Sequence, residues 1–231
     1  MLQIVGHTVF PKFSGVRCLM MPFIQGDPDS VPAEYSEYRS IIETLHFKMG
    51  DIGFLTIDES SVRAGTPHRG ARSKWSRALH TEAGRDPEKI YCWGDGGHWG
   101  GNPAPSPTKT PRTTYGWGNG GGWGSTPHKV TLDRDVRILL ASNLDGSCAV
   151  WDAEHEDTSS DGDIGDCADI YPYSEGRLLQ AGEVASIGIL TPHESLPVKQ
   201  DFNRQFLRVI SSGVHGRESY FTLNPLVPFQ N

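Results

Sequence analysis

Hydrophobic and polar positions change period several times along the chain, and each change predicts an element. Short apolar runs at Gln3-Ile4-Val5 and at residues 16–21, bounded by Pro11, Gly15 and Pro22, predict one or two peripheral strands. From Ser30 the pattern turns helical. Tyr38, Ile41, Ile42 and Leu45 fall at i, i+3, i+4 and i+7 behind an N-capping Ser30, an early Pro32 and acidic residues. That spacing predicts an amphipathic helix of about four turns, able to buttress the outer face of a barrel. Gly50-Asp51 ends it, and Ile52-Gly53-Phe54-Leu55-Thr56-Ile57 predicts the first core strand. Residues 136–142 and 148–152 predict two more, joined by the turn Asn143-Leu144-Asp145-Gly146. Near the C-terminus Gly182-Glu183 launches an apolar strand, His193 opens the next short one, and Arg204 opens a third after a Lys-Gln-Asp turn. One convincing helix beside many strand-like runs puts the chain in the mainly β class, and 231 residues suit a single domain over 1–231.

Residues 94–128 break the pattern. They join Gly94-Asp95-Gly96-Gly97-His98-Trp99-Gly100-Gly101 to Tyr115-Gly116-Trp117-Gly118 and Gly120-Gly121-Gly122-Trp123-Gly124 through a Pro-rich link. About 35 residues without periodicity is long for a loop in a compact domain, and such loops are usually functional or disordered. Glycine gives freedom and Trp gives stacking area, so Trp99, Trp117 and Trp123 are candidate substrate-binding residues of a lid.

Composition narrows the function classes. A hydrophobic fraction of 36% with 27 Gly and 16 Pro suits a loop-rich β protein. The net charge of −7 argues against nucleic-acid backbone binding, which needs Lys and Arg to displace counterions. The local positive stretch Arg63, Arg69, Arg72, Lys74, Arg77 lies just before His80 and could attract an anion to a nearby pocket. Residues 152–169 are rich in Asp and Glu without the spacing of an EF-hand, which favours a solvated acidic loop. Cys18, Cys92, Cys148 and Cys167 form no C-x-x-C pair. No signal peptide and no apolar run near ~18 residues is apparent, so a soluble, cytoplasmic protein with reduced thiols and no membrane partner is expected.

The chemistry-bearing pattern is His80-Thr81-Glu82, far upstream of His193, with Arg204 and Arg208 beyond it. On an extended chain residues two apart point to one face, so His80 and Glu82 can chelate one ion. This order resembles the Fe(II)/2-oxoglutarate-dependent dioxygenase superfamily, in which His-x-Asp or His-x-Glu and a later His hold the metal and a following Arg grips the co-substrate. The resemblance implies a double-stranded β-helix, a jelly-roll of about eight core strands, with the helix packed outside. It implies Fe(II) on His80, Glu82 and His193, and 2-oxoglutarate paired through its distal carboxylate with Arg204 or, on the same face four residues on, Arg208. It further implies oxidation, most often hydroxylation, of a small organic substrate by O2 with release of succinate and CO2. The sequence departs from the family in carrying Glu for the commoner Asp, and Phe206 where a Ser or Thr often stands two residues after the Arg.

Other readings of the same residues exist. A cupin-type metalloenzyme would use the barrel and metal without 2-oxoglutarate, with Arg204 on the substrate. A non-enzymatic β module would hold a ligand under the Trp-rich loop. His68, His98, His128 and His155 offer competing metal sets, although they lack the strand-turn-strand setting of His193.

Overall fold

Strand alternation builds the molecule. The computed structural model describes residues 1–71, 76–82, 136–155, 162–211 and 222–227. Among them are strands β1 (Gln3–His7), β2 (Arg17–Ile24), β3 (Ile52–Val62), β4 (Arg137–Ser142), β5 (Cys148–Val150), β6 (Arg177–Leu178), β7 (Glu183–Gly188), β8 (His193–Ser195) and β9 (Phe202–Ile210). They form two antiparallel sheets, one ordered β1-β7-β4-β9-β3-β2 and the other β6-β5-β8. The protein is mainly β. The two N-terminal strands are peripheral, standing at opposite edges of the larger sheet.

Period-two side-chain alternation divides the core into layers. From the larger sheet, Leu55, Ile57, Leu139, Ala141, Val184, Leu207 and Val209 pack outward. Phe54, Ile138, Leu140, Ala185, Ile187 and Ile210 point the other way and share one apolar cluster with Cys148 and Val150 of the smaller sheet. The far side of the smaller sheet is closed by Ala149, Trp151, Ile164, Tyr171 and Leu79. The same alternation on β9 aims Arg204, Phe206 and Arg208 between the sheets.

The turn Asn143–Gly146 joins strands of different sheets, because β4 belongs to the larger and β5 to the smaller. The strands that carry His193 and Arg204 also fall in different sheets. β8 pairs with β5, while β9 lies between β3 and β4. The chain crosses between sheets at each of these turns, so His193 and Arg204 approach from opposite walls.

The predicted four-turn helix is replaced by a 3-10 turn at Ala33–Tyr38 followed by a short α-helix, α1 (Arg39–Thr44). Ser30 cannot cap it, since its hydroxyl accepts from the Ile24 amide at 2.9 Å and donates to the Asp27 carbonyl at 2.7 Å. Tyr35 leaves helical geometry (φ −108, ψ 17), and its hydroxyl donates to the Arg17 carbonyl. The predicted face is nonetheless the buried one: Tyr38, Ile41, Ile42 and Leu45 all pack on the outer layer of the larger sheet.

Beneath that segment lies a buried carboxylate. Glu59 accepts hydrogen bonds from the Ser14 amide (2.6 Å), the Tyr38 hydroxyl (2.7 Å) and the Gln205 amide (2.8 Å), which ties the extended segment before β2 to β3, β9 and the helical turn. Burial alone would raise its pKa. The Ser14, Tyr38, Gln205 and Gly15 hydrogen bonds outweigh it and hold the carboxyl below its ordinary value. A depressed carboxylate lends stability that is complete above its unfolded-state pKa and is lost as pH falls through the lower native value. Glu59→Gln is therefore expected to cost about 1.5–3 kcal/mol at neutral pH, the range for hydrogen bonds to a charged group. The gap from the parent should narrow in acid. Denaturant midpoints of both proteins at neutral and acid pH check this, and an equal gap at both overturns it.

Candidate metal centre

Residues 79–82 run as an extended segment beside β8. His80 and His193 exchange both backbone hydrogen bonds (3.0 and 2.9 Å), and on its other side His80 bridges to Asp163. The Glu82 amide donates to the Ile189 carbonyl at 2.9 Å, and the Thr81 amide donates to the Gly162 carbonyl at 2.8 Å. Gly162 has a left-handed φ of +70, and a Cβ there would overlap the Thr81 carbonyl oxygen, so glycine is required for this close approach.

The extended backbone delivers what the His-x-Glu spacing predicts. His80, Glu82 and His193 each offer one ligand atom, all within 4.8 Å of one another, and all three residues are buried. The imidazole rings sit 4.1 Å apart at 58°. Their outer nitrogens are fixed in the same way: His80 Nδ1 lies 2.8 Å from the Ala78 carbonyl, and His193 Nδ1 lies 2.9 Å from the Thr191 carbonyl. A carbonyl can only accept, so each Nδ1 donates to its carbonyl, which leaves each Nε2 as the nitrogen available to an ion. His193 Nε2 stands 3.3 Å from Glu82 Oε1. Two imidazole nitrogens and a carboxylate oxygen thus converge in a buried space, an arrangement that could hold a cation. Burial, and next the positive charge of Arg69, hold His80 well below its ordinary pKa, which keeps it a neutral ligand. For Glu82 burial acts upward, but the Arg208 charge and His193 outweigh it and leave the carboxyl well below the usual range.

The two arginines of β9 have separate surroundings. Arg208 Nη1 donates to both Glu82 oxygens, at 2.7 and 2.8 Å, and its Nη2 lies near Met20 Sδ and Thr56 Oγ1. Met20 reaches it from a bulge in β2 at a left-handed φ of 48. Arg204 is 2% exposed, and its guanidinium meets Ser142 Oγ at 3.3 Å, Ser195 Oγ at 3.5 Å and the Phe206 ring at 5.2 Å. Burial lowers its pKa to about 10, which still leaves it a cation at neutral pH. On β3 the buried Asp58 acts on Arg204 through its charge, but its oxygens are engaged by Arg17 at 2.9 Å, by the Ser60 hydroxyl and by His68 at 3.3 Å. Among the described residues Arg204 therefore has hydroxyl partners but no carboxylate. A buried guanidinium with no anion in hydrogen-bond contact is costly, and an anionic ligand between the sheets would satisfy it.

The remaining candidates separate cleanly. His68 is engaged with Asp58, and His155 Nδ1 bonds the Tyr171 hydroxyl at 2.8 Å. His98 and His128 lie outside the described residues, as do Trp99, Trp117, Trp123 and the whole of 94–128. Of the basic stretch before His80, Arg72 and Lys74 lie outside them too, and Arg77 is spent on Glu194. Sequence reasoning missed Ser142 and Ser195. They surround the guanidinium at the place where Phe206 fails to supply a hydroxyl, and no local motif marks them. No helix among the described residues is long and apolar enough to cross a membrane. No family model, curated protein or solved structure matches the chain.

Proposed function

We propose that the chain is a non-haem Fe(II)/2-oxoglutarate-dependent oxygenase built on a double-stranded β-helix, acting on a small organic substrate. The observation that carries this reading is the convergence of His80 and His193 ring nitrogens with the Glu82 carboxylate, with Arg204 buried and, among the described residues, in hydrogen-bond contact with hydroxyls but no carboxylate. Two imidazoles and one carboxylate on one side of an ion suit Fe(II) and leave its other positions open for co-substrate and oxygen. The two-sheet arrangement, with β4, β5, β7, β8 and β9 crossing between walls, supports the jelly-roll architecture.

When bound, the iron and 2-oxoglutarate would supply oxidation of a C–H bond, with succinate and CO2 as co-products. The chain's own residues do the rest. Ala78 and Thr191 carbonyls orient the two imidazoles, and Arg208 holds the Glu82 carboxylate ionised and in place. Glu is one methylene longer than Asp, and the Arg208 contact removes the freedom which that methylene adds. Arg204 offers a guanidinium fork to the distal carboxylate of the co-substrate, a match in shape that Lys lacks. The Ser142 and Ser195 hydroxyls stand ready as further donors to the same group. The apolar cluster between the sheets keeps bulk water from the site.

The test is anaerobic loading with Fe(II), then measurement of succinate formed from 2-oxoglutarate on admission of O2. Succinate formation that needs both iron and 2-oxoglutarate supports the proposal. Iron binding without it favours the cupin-type reading, and neither favours a binding module.

A further inference from the structure

Behind the metal ligands lies a guanidinium that no ligand role accounts for. Arg77 stands three residues before His80, and its Nε and Nη2 both donate to Glu194 Oε2, at 2.8 and 2.5 Å. Its Nη1 donates to the carbonyls of Tyr171 (2.7 Å) and Ala168 (3.2 Å). The guanidinium lies 3.9 Å over the Tyr173 ring and 5.0 Å from that of Trp151. The Tyr173 hydroxyl donates to the other Glu194 oxygen at 3.2 Å. Glu194 is the residue between His193 and Ser195, so alternation along β8 turns it away from the metal ligands.

One cation therefore joins three pieces of chain: the lead-in to His80 and Glu82, the strand that carries His193, and the turn that follows the Asp163 bridge. Gly165 permits the approach, since a Cβ there would overlap the Arg77 carbonyl oxygen. Residues 79–82 are already held by backbone hydrogen bonds to His193 and Ile189 on one side and to Gly162 and Ile164 on the other, and Arg77 adds a side-chain tie just before them. Their pairing with β8 among the described residues is an isolated bridge at His80–His193 rather than a ladder. These backbone contacts set the pairing of the two histidines, and the side-chain tie from Arg77 to Glu194 adds resistance to tilting of the lead-in against β8. Without that tie, ion binding would have to steady the lead-in as well, and that ordering cost would appear as lost affinity.

We propose that Arg77 and Glu194 form a positioning clamp for the metal site, fixing the His80 segment against the His193 strand from behind. The inference rests on the metal reading above, and both residues act through the ligands rather than on the ion.

The test measures affinity for Co(II), as an oxygen-stable probe, in the full-length protein and in Arg77→Gln, Glu194→Gln, the double variant, Arg77→Lys and His193→Ala. Unfolding midpoints of the metal-free proteins are recorded beside it. Glu194→Gln keeps the side chain's size and every Arg77 contact to carbonyls, so it remains informative should Arg77→Gln fail to fold. Either single change is expected to weaken Co(II) binding about ten- to a hundredfold, the range for residues that orient metal ligands. The double variant should be no weaker than the worse single, and Arg77→Lys should recover part of the loss. Lowered midpoints with Co(II) affinity as in the parent overturn the clamp and leave the metal site standing. Parent protein that binds no better than His193→Ala overturns the metal reading, and the clamp with it.

Discussion

Fe(II) binding and turnover are expected to vanish in His80→Ala and in His193→Ala. Each change removes one of the three candidate ligands, and the two donors left would not hold a labile divalent ion well. The histidines test the site more cleanly than Glu82 does. Removing the Glu82 carboxylate also strips Arg208 of its partner and leaves a buried guanidinium charge, which is strongly destabilising in itself. In the histidine variants the Glu82–Arg208 pair stays intact, so loss of iron reports on ligation. The measurement is iron per chain after anaerobic loading, with His155→Ala as a comparison because that ring is engaged with Tyr171 instead. Stoichiometric iron in either metal-site variant would sink the assignment.

The candidate ligands were legible in the sequence because the rule that reveals them is local. Residues two apart on extended chain share a face, and His193 stands at the start of a strand behind a Pro turn, so both halves of the set announce themselves within a few residues. Strand positions were legible for the same reason: the apolar run at residues 52–57 and the strand opened by Arg204 after its Lys-Gln-Asp turn need no knowledge of partners. The helix was not, because its fate rests on distant groups. Ser30 gives its hydroxyl to Ile24 and Asp27, while Tyr35 and Tyr38 reach across to Arg17 and Glu59. Those tertiary anchors hold the apolar face in place while interrupting the regular turn.

The crossing between sheets was likewise hidden. The four residues Asn143–Gly146 suit a turn between neighbours as well as a step from β4 in one wall to β5 in the other. Arg204 and Arg208 form the clearest case of a choice that sequence leaves open. Four residues apart on β9, they share a face and a residue type. Register separates them, because β9 sets Arg208 opposite Thr56 and Arg204 opposite Ser60. At the first position the guanidinium reaches Glu82, and at the second its contacts among the described residues are hydroxyls and the Phe206 ring.

That separation makes the second large effect specific. Arg204→Leu is expected to raise the 2-oxoglutarate requirement steeply while leaving Fe(II) in place, because this residue touches none of the three ligands. Losing one partner of a buried, hydrogen-bonded charge pair costs about 2–5 kcal/mol, roughly thirty- to several-thousandfold in affinity. Arg204→Lys should recover only part of it, since an ammonium keeps the charge but not the two-pronged geometry. Arg208→Leu should behave differently. It frees the Glu82 carboxylate from its restraint, so the defect should appear first in iron binding. Measuring iron per chain and the 2-oxoglutarate concentration for half-maximal succinate release in all three variants separates the roles. An Arg208→Leu protein that keeps its iron but needs far more 2-oxoglutarate, beside an unaffected Arg204→Leu, reverses the assignment. If neither change moves the 2-oxoglutarate requirement, the Arg204 guanidinium serves another anion and the cupin-type reading takes its place.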